Sequence, residues 1–120
     1  MNIFTVAELF DWFKSIFSYC GTSLLKMNDE DMMYYLFEEL PGDAISCLHE
    51  NTLQKLKKHG YIDSQTFLLC QMLRARYIEL DALKNWSADE IRRDERWGDL
   101  MRLGNMIYNK IIDLQQRKPK

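Results

Sequence analysis

The stretch from Trp86 to Leu114 constrains the fold more than any other part of the chain. Ser87 followed by Glu90 is a capping box, in which two side chains satisfy backbone N–H groups that a helix start leaves without partners. Trp86 can pack on Ile91 as a hydrophobic staple. The spacing predicts one long helix running to Leu114. Its apolar residues Ile91, Trp97, Leu100, Met101, Ile107, Tyr108, Ile111 and Leu114 recur mostly at helical steps and form one stripe against a core. Arg92, Arg93, Arg96 and Asp99 occupy the other face, which is either solvated or holds a partner.

A second long helix precedes it. Asp63 is its N-cap, Ile62 can staple to Phe67, and the pattern runs through Leu69, Cys70, Leu73, Tyr77, Leu80 and Leu83 to Asn85. The link Asn85-Trp86-Ser87 is so short that the two helices should lie side by side and antiparallel. Upstream, Thr5 and Glu8 form another capping box, with Phe4 and Leu9 as its staple, so a first helix starts near Val6. Val6, Leu9, Phe10, Phe13 and Phe17 face inward and Trp12 sits at the rim. Gly21 is read as a left-handed helix stop, with residues 21–26 as a connection.

Asn28 caps the next helix, Met27 can staple to Met32, and Asp29, Glu30 and Asp31 complement the positive end of its dipole. Met33, Leu36, Phe37 and Leu40 form its inner face, and Pro41-Gly42 should end it. Asp43 to His49 reads as a short helical piece with Ala44, Ile45 and Leu48 inward. Asn51 recaps the chain for Thr52 to Lys58, where Leu53 and Leu56 face in, and Gly60 closes that helix. No segment alternates as a half-buried strand does. The fold expected is all-α: a single-domain bundle of five or six helices over residues 1–114, the last two long and antiparallel, followed by a polar, basic tail at 115–120 that frays.

At 120 residues, 47% of them apolar, the chain can bury a core without a metal or disulfide staple. Cys20, Cys47 and Cys70 are an odd number, widely spaced, and no signal peptide is read ahead of them. They are expected as small buried hydrophobes in a reducing, cytoplasmic setting. No apolar run approaches the ~20 residues that cross a bilayer. The net charge of -2 hides an asymmetry: residues 1–50 hold nine acids against Lys14 and Lys26, whereas residues 64–120 hold eight acids against eleven bases. The acidic half is either a solvated face or one that favours a basic ligand or protein over nucleic acid.

The sequence carries no catalytic signature. His49 and His59 have no metal-ligating partner at helical spacing, and Cys47-Leu48-His49 matches no zinc pattern; Cys47, His49 and Cys70 could meet only through the fold. There is no nucleophile elbow and no Gly-rich phosphate loop. The carboxylate pairs Glu38-Glu39 and Asp89-Glu90 are adjacent in sequence and diverge on a helix. No catalytic, cofactor-binding or metal-binding residue is therefore expected, and the chain is read as a binding protein. Asp31, Tyr35 and Glu38 lie opposite the apolar stripe of their helix, with Glu39 beside them. That sets an aromatic within an acidic surface, as an ordinary exposed tyrosine or as an interface anchor. The arginines at 92, 93 and 96 are interleaved with acids, allowing Asp89–Arg93 and Asp99–Arg102 pairs and an arginine reaching an acid on the second or fourth helix. Such pairing cancels the field that direct DNA or RNA binding would need.

The segments L-R-A-R-Y-I-E-L-D at 73–81 and W-S-A-D-E-I-R-R-D-E-R-W-G-D-L at 86–100 resemble the carboxy-terminal helices of small helical bacterial immunity proteins, the antidotes of contact-dependent growth inhibition and related toxin systems. The resemblance rests on the arginine-rich helix, the L-x-R element and the paired Trp86 and Trp97. It implies a cytoplasmic inhibitor of one cognate toxin domain, often a nuclease, with no enzyme activity of its own, and it transfers no site residue. Together with the acidic half it makes Asp31, Tyr34, Tyr35, Glu38, Glu39 and Asp43 the expected contact face for a basic toxin domain. Two other readings stand beside it. One is a regulatory adaptor of phage or plasmid type that docks on a host protein or nucleic acid through the Arg92, Arg93, Arg96 helix; the other is a self-associating bundle with exposed aromatics at its seam.

Overall fold

The computed structural model describes residues 5–42 and 48–117, which are mostly helical and contain no strand. Helix α1, Val6–Ile16, starts on the expected capping box: the Thr5 hydroxyl accepts from Glu8 N–H and the Glu8 carboxylate accepts from Thr5 N–H. Its expected staple residue Phe4 lies outside the described residues. Leu9, Phe10, Phe13 and Ile16 are buried.

Gly21 does not have the role expected of it. The helix has already ended at Phe17, and Gly21 has an ordinary negative φ of -111°. Its function is close approach. A Cβ at Gly21 would overlap the Asn105 side chain, and one at Gly104 would collide with the Cys20 backbone carbonyl, so both glycines sit where two backbones cross. The connection is itself ordered as a 3₁₀ turn, Thr22–Lys26. Asn105 holds it twice, accepting from Thr22 N–H at 3.1 Å and donating to the Thr22 hydroxyl at 2.8 Å.

Helix α2, Asp29–Tyr34, begins at Asn28, whose side chain accepts from Asp31 N–H at 2.7 Å. It passes into a π-helical segment, Tyr35–Glu39, and is helical through Pro41-Gly42, the expected stop, beyond which residues 43–47 lie outside the described residues. In that register Leu40 N–H donates to the Tyr35 carbonyl, five residues back. The Leu36 carbonyl would need the N–H of residue 41, a proline, which has none. The Tyr77 hydroxyl donates to it instead, at 2.5 Å in the buried core. Met32, Leu36 and Leu40 are the buried residues of this element, while Met33 and Phe37, expected inside, are only half-buried.

Of the short helical piece expected over Asp43–His49, residues 43–47 lie outside the described residues, and Leu48 is buried. Helix α3, Glu50–Lys58, is capped by His49 rather than by Asn51: the imidazole Nδ1 accepts from Asn51 N–H at 3.1 Å. Any acceptor that reaches an orphan donor can serve as a cap, and the ring nitrogen does so here. Gly60 closes α3 as expected, with φ 82° and paired bonds from Tyr61 N–H to Leu56 and from Gly60 N–H to Lys57.

Helix α4, Ser64–Leu83, starts on Asp63, which accepts from Thr66 N–H at 2.8 Å. The single helix expected from the Ser87 capping box is in fact two, α5, Ala88–Arg93, and α6, Glu95–Arg117. Asp94 divides them. Its extended ψ of 125° breaks the spiral, its N–H ends α5 on the Glu90 carbonyl, and its side chain accepts from Arg96 N–H as the N-cap of α6. The break lets Ile91 and Trp97 both reach the core; six residues apart on one straight helix, they would diverge by about 120°.

Two contacts fix the direction of the long helices α4 and α6. Lys110 Nζ donates to the Gln65 side chain at 2.7 Å near one end, and Tyr77 meets Trp97 at 6.3 Å between ring centroids towards the other. The helices are therefore antiparallel, as the short link predicts. Trp97 is fully buried and is also met edge-on by Phe37 and Trp86. The buried face of α6 is broader than the expected stripe, because Leu103 and Gly104 also face in, against the crossing connection. Tyr108 is exposed and Leu114 half-buried, and α6 continues past Leu114 to Arg117. No helix among the described residues is long and apolar enough to cross a membrane.

Candidate partner-binding site

The chain leaves α4 through a corner that few side chains adopt. Lys84 has φ 57° and ψ 167°, and Asn85 has φ 60°, so two successive non-glycine residues hold positive φ. The corner brings Trp86 back onto the bundle, where its indole N–H donates to the Leu80 carbonyl at 2.7 Å. Trp97 packs edge-on against the Trp86 ring at 5.6 Å, and the Arg96 guanidinium lies over it at 5.4 Å. Trp86 is thus a fixed, half-buried wall.

Grooves open on both sides of that wall. One, of about 570 Å³, runs between the corner and α2; Met33, Phe37 and Trp86 supply apolar surface, and Tyr34, Glu38, Asp81, Lys84 and Asn85 complete its lining. The other, of about 450 Å³, is bounded by Leu83, Glu90, Arg93, Asp94 and Arg96. The first combines apolar and aromatic surface with two carboxylates and one ammonium, the composition that suits a protein segment bearing a cationic side chain.

The structure gathers part of the expected contact face here and disperses the rest. Tyr34 is 48% exposed, and its hydroxyl donates to Glu39 Oε2 at 3.0 Å. Bonding to that carboxylate, and its charge, raise the Tyr34 pKa. Glu38 and Glu39 are exposed, Glu38 lining the groove, and Asp31 is exposed in the first turn of α2. Tyr35 is not the exposed aromatic expected: it is half-buried, stacked on Tyr19 at 5.0 Å and touching Tyr34 edge-on. With Met32, Leu36 and Leu40 inward, Tyr34 and not Tyr35 is the outward ring. Asp43 lies outside the described residues. Sequence reasoning missed Asp81, Lys84, Asn85 and Trp86 as lining residues, since they reach α2 only through the fold.

The arginine face is electrically quiet. Arg92 donates to Asp29 Oδ1 at 3.0 Å and to the Leu25 and Met27 carbonyls at 2.8 and 2.7 Å, tying α5 to the start of α2. This is the arginine-to-second-helix pair that the sequence allows. Arg93 pairs with Asp89 and Arg102 with Asp99, as the spacing predicts, and Arg96 pairs with Asp94 at 2.8 Å. The bonds from Arg96 hold the Asp94 carboxyl below its ordinary pKa.

The two described cysteines are buried. Burial pushes the Cys20 thiol up to about 12 and raises Cys70 as well, so both stay protonated. His49 and His59 are exposed and spend Nδ1 on backbone partners. Cys47, one of three residues that could have met at a metal, lies outside the described residues; among those described, no group of three His, Cys, Asp or Glu is placed to hold an ion. No protein-family model, curated protein or solved structure matches the chain.

Proposed function

We propose that this chain is a bacterial immunity protein: a cytoplasmic inhibitor that binds a cognate toxin domain with a basic surface, a nuclease, and performs no chemistry of its own. The observation that carries this reading is the groove between α2 and the Lys84–Trp86 corner, where a rigid apolar floor lies beside Tyr34, Glu38 and Asp81. A nuclease that grips phosphate presents lysines and arginines. An acidic rim attracts those groups and speeds association, while buried aromatic surface holds the complex once formed. The resemblance of 73–81 and 86–100 to immunity-protein helices points the same way.

The adaptor reading, with nucleic acid bound through Arg92, Arg93 and Arg96, has less support, because Asp29, Asp89 and Asp94 neutralise those guanidinium groups one by one. The test is to purify the chain from its host with bound proteins identified, to express the toxin domain encoded immediately upstream, and to assay its nuclease activity with increasing amounts of this protein. Stoichiometric inhibition is expected. A tight complex with duplex DNA and no effect on the toxin would refute the proposal.

A further inference from the structure

Ion pairing is unevenly distributed over the surface. Asp29, Asp89, Asp94 and Asp99 each hold an arginine. Glu38 and Asp81, the two carboxylates of the groove between α2 and the Lys84–Trp86 corner, pair with no cation among the described residues. Asp81 is half-buried in the last turn of α4, so it has lost part of its hydration and also lies at the negative end of the helix dipole. Lys84, the one cation of the lining, makes an ion pair with neither carboxylate. Much of the remaining surface is apolar or aromatic, from Met33, Tyr34, Phe37 and Trp86.

We infer that this groove is a socket for one arginine side chain of the partner, its guanidinium donating to Glu38 and Asp81 and lying against the aromatic surface beside them. The inference rests on the proposed reading of the groove as the contact surface and narrows the occupant from a basic domain to a single functional group. Guanidinium fits better than ammonium on three grounds. The carboxylates stand on different elements, Glu38 on the π-helical segment and Asp81 on α4, so a cation between them is approached from two walls. A guanidinium spreads five N–H donors over a planar fork, whereas an ammonium holds three on one atom. Aromatic and apolar surface also strips water from whatever enters, and the guanidinium is the more weakly hydrated cation and stacks on rings. The molecule already shows the arrangement once. On the other side of Trp86, the Arg96 guanidinium lies over the indole at 5.4 Å and forks onto Asp94, through Nε at 3.1 Å and Nη2 at 2.8 Å. The groove offers the same ring and two carboxylates without the arginine.

NMR titration of the isotope-labelled full chain with acetyl-glycyl-arginyl-glycinamide, and with its lysine and citrulline counterparts, tests it. The arginine peptide should shift the Trp86 indole N–H and the backbone amides of Glu38 and Asp81 saturably. The lysine peptide should bind several-fold more weakly, and the citrulline peptide, close in shape but uncharged, should leave those signals in place. Glu38→Gln and Asp81→Asn should each weaken the arginine peptide about tenfold, with the amide signals of α1 unmoved as the check on folding. The wild-type peptide series stands as the test should either variant fail to fold. No saturable shift with arginine overturns the inference. So does a lysine or citrulline peptide that binds as well, a shift confined to the first turn of α2, or an affinity indifferent to both substitutions. Because the peptides contain no toxin, the two proposals fail separately. Toxin inhibition by a chain whose groove does not prefer arginine sinks this inference alone, and an arginine-selective groove on a chain that inhibits no toxin domain sustains it while refuting the inhibitor role.

Discussion

The Tyr77 hydroxyl donates to the Leu36 carbonyl at 2.5 Å, joining α4 to the π-helical turn of the second helix across 41 positions of sequence. That carbonyl needs an outside donor because Leu40 N–H has moved to Tyr35 and Pro41 has no N–H. Tyr77→Phe therefore leaves a buried acceptor unsatisfied and should cost about 1–3 kcal/mol in urea unfolding. In a Pro41→Ala background the restored N–H can serve Leu36, so the same substitution should cost clearly less. An equal loss in both backgrounds would separate the tyrosine from the proline.

Asp63 caps α4, and its carboxyl lies below its ordinary pKa: partial burial works against the shift, but the bond from Thr66 N–H and the nearby Lys110 charge lower it. A carboxyl depressed in the folded state contributes stability above its unfolded pKa and loses it as pH falls through the folded value. Asp63→Ala should cost ~1 kcal/mol at neutral pH. Asp63→Asn should retain most of the cap while flattening the fall in stability below pH ~4. Unfolding curves across that range measure both.

The two tight glycines and the loose one predict opposite signs. Gly104→Ala drives a methyl into the Cys20 carbonyl and should destabilise by roughly 1–3 kcal/mol. At Gly98 a Cβ would meet only the flexible end of Arg102, at 3.4 Å, so Gly98→Ala should be neutral or gain up to ~1 kcal/mol from helix propensity. Thermal unfolding of both variants reads the difference directly.

Helix starts were the legible part of the fold because capping is local: Thr5 with Glu8, Asn28, Asp63, and Ser87 with Glu90 each declare themselves within a turn. Interruptions were harder. The Asp94 break left a trace, a six-residue gap between Ile91 and Trp97 followed through as one stripe, and Asp94-Glu95 reads as a cap in hindsight. The π-helical turn left none, since its missing hydrogen bond is supplied by Tyr77 from another helix. The candidate site divides the same way. Glu38 is legible as a polar position on an amphipathic helix, whereas the outward ring is Tyr34 and not the Tyr35 that the helical pattern points to, and Asp81, Lys84 and Trp86 join them only after α4 folds back.

Lys84 holds a backbone conformation that glycine adopts freely, at the rim of the candidate groove. Lys84→Gly should relieve that strain and raise stability by about 1 kcal/mol. It also removes the one cation from the groove lining, so affinity for a basic partner should rise rather than fall. A loss of affinity would assign Lys84 a direct contact.

The association rate of Glu38→Lys/Glu39→Lys with the proposed toxin domain, measured by stopped flow at low and moderate salt, bears most directly on the acidic groove as the proposed contact surface. With thermal unfolding little changed, the rate should fall about tenfold at low salt, and the gap from wild type should narrow as salt rises. A rate equal to wild type at both salt concentrations would place the toxin on another face of the molecule.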